Sequence, residues 1–135
     1  MSATVVLANQ EYILFNGGKH FKLDEAFSMF VVTEDQAETD RLWNALIADD
    51  GSPSQCGWLK DRFGVSWQII PKAMMRLQND ADSEKASRVM QAMMEMVKID
   101  VAALEKAAAG YPRTCATLRR ANKFLEKCRM ASATT

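Results

Sequence analysis

Short apolar, β-branched runs open the chain. Thr4–Leu7 and Glu11–Phe15 are separated by Ala8-Asn9-Gln10 and predict a hairpin. Asn16-Gly17-Gly18 closes it, because asparagine and glycine tolerate the positive φ that a chain reversal needs. Glu25–Thr33 (EAFSMFVVT) predicts a third strand. The period then changes. Ala37, Leu42, Trp43, Leu46 and Ile47 recur at helical spacing, and Thr33 with Gln36 three residues on has the form of a capping box. Glu34 and Asp35 suit the positive end of that helix. Asp49–Ser54 (DDGSPS) is a loop. Cys56–Lys60 and Val65–Ile70 read as strands around an Asp61–Gly64 turn, and Pro71, with no N–H to donate, stops the second.

Helical spacing governs the rest of the chain. Lys72–Leu77 predicts one short helix. Asp82 or Ser83 caps a stronger one, with Ala86, Val89, Met90, Met93, Met94, Met96 and Val97 on a broad stripe. Such a methionine-rich stripe suits either a core or an adaptable surface for a ligand or partner. Asp100 caps an alanine-rich helix that ends near Gly110-Tyr111-Pro112. Arg113–Met130 predicts a last helix, with Cys115, Leu118, Ala121 or Asn122, Leu125 and Cys128 on one stripe, before a frayed ASATT end. Strands come first and helices after them, which predicts an α+β fold.

At 135 residues the chain is long enough for one domain whose core needs no disulfides. Its formal net charge is zero, so no global field draws it to nucleic acid or membrane. The distribution adds something that the total hides. Residues 111–135 hold six basic side chains against Glu126 alone, a net +5, and residues 1–110 hold eleven basic against sixteen acidic, a net −5. A basic tail on an acidic body can bind itself, a partner subunit or an anion, or be a solvated face. Arg119, Arg120, Lys123 and Lys127 raise nucleic acid as a partner, but Phe124 is the one stacking residue beside them and no recognition module is present, so none is expected. Cys56, Cys115 and Cys128 are odd in number and lack CxxC spacing, which fits reduced thiols in the cytoplasm and not a zinc site. No secretory leader pattern and no apolar run of membrane-spanning length is present, so no membrane association is expected.

Three segments, FNGGKHFKLDEAFSMFVV, CGWLKDRFGVSWQIIP and RVMQAMMEMVKIDVAALEKA, taken in that order, carry a family resemblance. The chain resembles the PhnB-like, 3-demethylubiquinone methyltransferase-like subgroup of the vicinal oxygen chelate superfamily, which also holds glyoxalases and bleomycin-resistance proteins. The resemblance spans residues 4–108 and is most specific in GWLKDRFGVSWQIIP. It implies two βαβββ modules curled around a small-molecule site. Residues 27–71 match a whole second module, and residues 4–16 match only the last two strands of the first. The expected organisation is a shortened glyoxalase-like domain over residues 1–110 with a basic helical extension over 111–135. Missing strands leave open edges and an uncovered apolar face. A second copy of the chain, joined by strand exchange, would cover them; so would the C-terminal helix.

The same resemblance implies a divalent metal between the modules, held by His or Glu. Glu25 and His20 are the weak candidates here, and Gln68 stands where catalytic relatives carry glutamate. A neutral amide is a poor ligand for a transition metal, so no tightly bound metal or other cofactor is expected. No glycine-rich loop follows a strand to hold an adenosyl group, which leaves the methyltransferase label without support from the residues. Three functions stay open: small-molecule binding in a sheet-lined cleft with Asn16, His20, Phe27, Trp58, Trp67 and Gln68 as candidates; a metal-dependent lyase, isomerase or dioxygenase completed by dimerisation; and a non-catalytic self-associating protein. The tryptophans suit core as well as cleft.

Overall fold

The computed structural model describes residues 1–20 and 22–110. Strands β1 (Ser2–Leu7) and β2 (Gln10–Phe15) form an antiparallel hairpin. Its turn is tighter than the predicted three residues. Ala8 and Asn9 both take positive φ, 49° and 63°, the geometry that matches the twist of the flanking strands. The hairpin packs densely only on itself. Val5 and Tyr12 face each other across the strands and are half-buried; Val6, Leu7, Ile13, Leu14 and Phe15 are exposed.

Residues 29–71 form the βαβββ unit: β3 (Met29–Thr33), α1 (Gln36–Ile47), β4 (Ser52–Pro53), β5 (Trp58–Lys60) and β6 (Ser66–Pro71). The sheet order is β3-β6-β5-β4, with β3 parallel to β6 and the other pairs antiparallel. The expected α+β class is present, and the βαβββ order falls within the residues 27–71 where it was expected. The C-terminal helices α2 (Lys72–Gln78), α3 (Ser83–Met94) and α4 (Val101–Ala108) are present as well, the last two capped by Asp82 and Asp100 as predicted.

Several boundaries differ from the sequence expectation, each for a local reason. The third strand begins at Met29 instead of Glu25, because Asp24 Oδ1 accepts from the Ala26 N–H in a local turn. Thr33 does not cap α1. It is the last residue of β3, fully buried, and Asp35 caps instead by accepting from Glu38 N–H, while Glu38 reaches back to Glu34 N–H. The Thr39 hydroxyl gives its proton to the Asp35 carbonyl, so the 2.6 Å contact between Thr33 and Thr39 runs with Thr33 as donor. Cys56 is not in a strand either. Cys56 and Gly57 take φ of 59° and 82°, and their N–H groups donate to the carbonyls of Met96 and Val97. That pair of bonds ties the sheet to the segment between α3 and α4. Part of the expected DDGSPS loop becomes β4, a two-residue edge strand that Pro53 ends.

Two cores result. Trp43 of α1 packs with Leu59 and Ile69 on one face of the sheet, joined by Val31, Leu42, Leu46, Ile47 and Trp67. The second lies among α2, α3 and α4 and reaches the sheet at Ile70. Gln36 joins the two regions: its amide donates to the Ile99 carbonyl and accepts from Val101 N–H. The predicted helix Arg113–Met130, with Cys115 and Cys128, lies outside the described residues.

Candidate functional site

Alternation along β6 sends Trp67 and Ile69 toward α1 and Ser66, Gln68 and Ile70 to the other face. Strand register extends that second face sideways. Phe30 of β3 and Trp58 of β5 both sit opposite Gln68, so Phe30, Gln68 and Trp58 form one row across three strands. Their spacing follows from strand separation, which puts the two aromatic residues roughly 10 Å apart with the amide between them. Phe30 is 53% exposed and Val32, one step along β3, 41%; Phe27 just before the strand is exposed too. α1 covers the far face; on this one the helical block covers Ile70, and the β3 side at Phe30 and Val32 stands open.

The Gln68 amide is held in place. Its Nε2 donates to Ser28 Oγ at 2.8 Å, and its carbonyl oxygen has no partner among the described residues. Below the row Lys60 is opposite Ser66 and reaches across to Glu25 at 2.5 Å. The Lys60 ammonium hydrogen bond, then a backbone hydrogen bond and the Lys60 charge, hold the Glu25 carboxyl below the usual range for glutamate. Ser66 Oγ, buried beside this pair, has no partner among the described residues.

The sequence candidates separate under this geometry. Gln68 and Trp58 come together in the row. Phe27 precedes Ser28, the residue that orients Gln68. Trp67 lies on the opposite face, packed against the α1 core with its indole N–H donating to Asp61 Oδ2 at 3.0 Å. Asn16 follows β2, where its N–H donates to the Met1 carbonyl, and His20 is exposed in the irregular segment between the sheets; neither bonds to the row. Asp61 and Arg62, which follow Lys60, are structural. Asp61 Oδ1 accepts from the N–H groups of Phe63 and Val65, and Arg62 pairs with Asp49 while stacking on Phe63. Sequence reasoning misses Phe30, Val32 and Ser28, because β3 pairs with a strand thirty-eight residues later and a single sequence does not state that register.

The residues present do not fit a divalent metal. Gln68 offers an amide, Glu25 is engaged by Lys60, and among the described residues no three His, Cys, Asp or Glu side chains converge on a point. No helix among them is long and apolar enough to cross a membrane.

The family model for 3-demethylubiquinone-9 3-methyltransferase matches residues 1–70, which takes in the hairpin and all but the last residue of the βαβββ unit. Among solved structures the chain is similar to the PhnB protein of Bacillus cereus, with 30% identity, 53% of this chain and 64% of that one covered, and a TM-score of 0.48. It is also similar to protein PA1353 of Pseudomonas aeruginosa, with 25% identity, 53% and 62% covered, and a TM-score of 0.44. The match therefore spans less than two thirds of either structure. No curated protein matches. On the extent of the family match, the chain belongs to the 3-demethylubiquinone-9 3-methyltransferase family.

Proposed function

We propose that the chain is a small-molecule binding protein that works as a homodimer, with the ligand on the open face between Phe30 and Trp58. The observation that carries this is the Phe30–Gln68–Trp58 row. Two aromatic surfaces flank one amide whose nitrogen is already used, so its oxygen is left to accept from the ligand. That arrangement suits a flat aromatic molecule with one hydrogen-bond donor.

Dimerisation is supported by the same exposure. A two-stranded hairpin alone is marginally stable in water, and this one exposes large side chains on both faces. The open sheet face exposes Phe30 and Val32, and Phe27 just before β3 is exposed as well. In the proposed dimer each hairpin lies over the face of the other copy and closes the cleft, which is strand exchange of the simplest kind. Free Cys56 suits a reducing compartment such as the cytoplasm. A metal-dependent reading has less support, since its ligands would have to come from two copies.

Trp58 supplies the readout, because Trp43 is buried and Trp67 is packed against α1. Titration with phenol or indole should give saturable quenching that Gln68→Leu weakens and Trp58→Phe abolishes, while toluene, without a donor, binds more weakly. Flat titrations in a chain that light scattering shows to be dimeric would leave a self-associating protein without a ligand. Strand exchange has its own test. A copy carrying Phe15→Asp and a copy carrying Phe30→Asp should each be monomeric, and mixing them should restore a dimer with one intact hairpin-on-face contact. No restoration would rule out exchange.

A further inference from the structure

The Phe30–Gln68–Trp58 row has a second rank below it. Two residues along a strand return to the same face about 7 Å away. That step leads from Gln68 to Ser66 on β6 and from Trp58 to Lys60 on β5, and register sets Lys60 opposite Ser66. Ser28, just before β3, belongs to the same face, since its Oγ accepts from the Gln68 amide.

These three side chains share one property: each has a proton to give. Ser66 is 2% exposed, and its hydroxyl has no partner among the described residues. A hydroxyl in that position is costly until an oxygen reaches it. Ser28 Oγ accepts from Gln68 and keeps its own proton. Lys60 carries three donors and places one on Glu25. Against these donors stands one carboxylate, and it is not part of the sheet. Glu25 comes from the turn before β3, its side chain is 63% exposed, and while it holds Lys60 it leaves Ser66 unpartnered.

We propose that this second rank receives the carboxylate of an aromatic acid, which displaces Glu25 from Lys60 and accepts the Ser66 proton that Glu25 leaves unused. Glu25 is then the occupant of the site in the free protein. Exchange of one carboxylate for another keeps Lys60 paired, and the exposed Glu25 returns to water at little cost. A single cation suits a monoanion. The proposal rests on the ligand reading of the row and narrows it, from flat aromatic molecules with a donor to those that also carry an acid on a short arm. The ring lies in the row, and the arm covers the step of about 7 Å to Lys60 and Ser66.

Calorimetric titration of the full chain with phenol, 3-hydroxyphenylacetate and the neutral amide of that acid tests it. At low salt the acid should bind several-fold more tightly than the amide, and high salt should shrink the difference. Lys60→Met should bring the acid down to the affinity of the amide. Ser66→Ala should weaken the acid more than the amide, and it removes no hydrogen bond of the free protein. An acid that binds no better than its amide, or an advantage that survives Lys60→Met, would overturn the proposal. Phenol separates this outcome from failure of the row itself. Phenol bound, with acid and amide equal, strikes the second rank and leaves the row; no binding of any of the three strikes both. If Lys60→Met also lowers the denaturation midpoint, Ser66→Ala decides alone, and equal losses for acid and amide there overturn the proposal.

Discussion

The two faces of the four-stranded sheet are made by the same strands and end in different chemistry. Toward α1, Leu59, Ile69 and Trp43 are at most 4% exposed. Toward the other side, Phe30 is half-exposed beside an oriented amide. Along β3, successive residues alternate between these two environments: Val31 packs against the α1 core and Phe30 and Val32 are exposed, so one residue step separates a position that holds the fold from one that is open to solvent. Apolar character alone does not tell core from site. Ile69 and Phe30 are both large and apolar, and what differs is whether the chain itself covers them.

Truncating one residue on each face should separate the two most strongly. Ile69→Ala should lower the unfolding free energy by about 2–5 kcal/mol, the range for deleting a fully buried branched side chain. Phe30→Ala, in chains dilute enough to be uncoupled, should change it by no more than about 0.5 kcal/mol. Chemical denaturation monitored by circular dichroism gives both values. Equal losses would mean that the open face is packed by its own chain and that no cleft exists there.

Asp61 tests how the α1 face is kept in register. One carboxylate receives two backbone N–H groups of the β5–β6 turn and the Trp67 indole. Asp61→Ala strips three donors of their acceptor at a half-buried place, and should cost about 1–3 kcal/mol. The same denaturation measurement applies, with a shift in Trp67 emission as the local signature. An unchanged denaturation midpoint would show that the turn is set by its backbone alone.

Much of this fold is legible in the sequence because it is written in short-range chemistry. The hairpin, the period change into α1, the caps at Asp82 and Asp100 and the Asp61 turn each depend on residues within a few positions of one another. The corrected details depend on longer reach. Thr33 has the right chemistry for a cap, but its pairing with Pro71 on β6 keeps it in the sheet, so Asp35 takes the role. Cys56 and Gly57 look like a strand start until their N–H groups find Met96 and Val97, some forty residues on. The site follows the same rule. Gln68 and Trp58 can be named from the sequence because they share one hairpin-like segment, and Phe30 cannot, since only the parallel β3–β6 register puts it beside them. Trp67 pairs with Trp58 by residue type, but alternation and a one-residue offset in pairing put it on the other face.

The smallest expected effect concerns the ion pairs that flank both faces. Lys98 holds the Asp40 carboxyl below its ordinary value, mainly through a direct hydrogen bond, with Gln36 adding a second. Lys60 does the same for Glu25 on the open face. Lys85, with the Asp82 N–H, lowers Asp80 in the helical block. In each case the folded value lies below the unfolded one, so the stabilisation is fully present above the unfolded carboxylate range, about pH 4, and is lost as pH falls through the folded value. The side chains are solvated, which screens the interactions and keeps each contribution within the small range of surface pairs. Thermal unfolding should therefore be nearly flat from pH 7 to pH 5 and decline below about pH 4. Asp40→Asn should reduce that decline, because it removes a carboxylate that resists protonation, and should lower the neutral-pH midpoint only slightly. Glu25→Gln tells the faces apart by binding instead of stability: it should leave the unfolding midpoint almost unchanged but free Lys60 beside Gln68, so that the affinity of the open face for anionic aromatic ligands rises at low salt and the gain disappears at high salt.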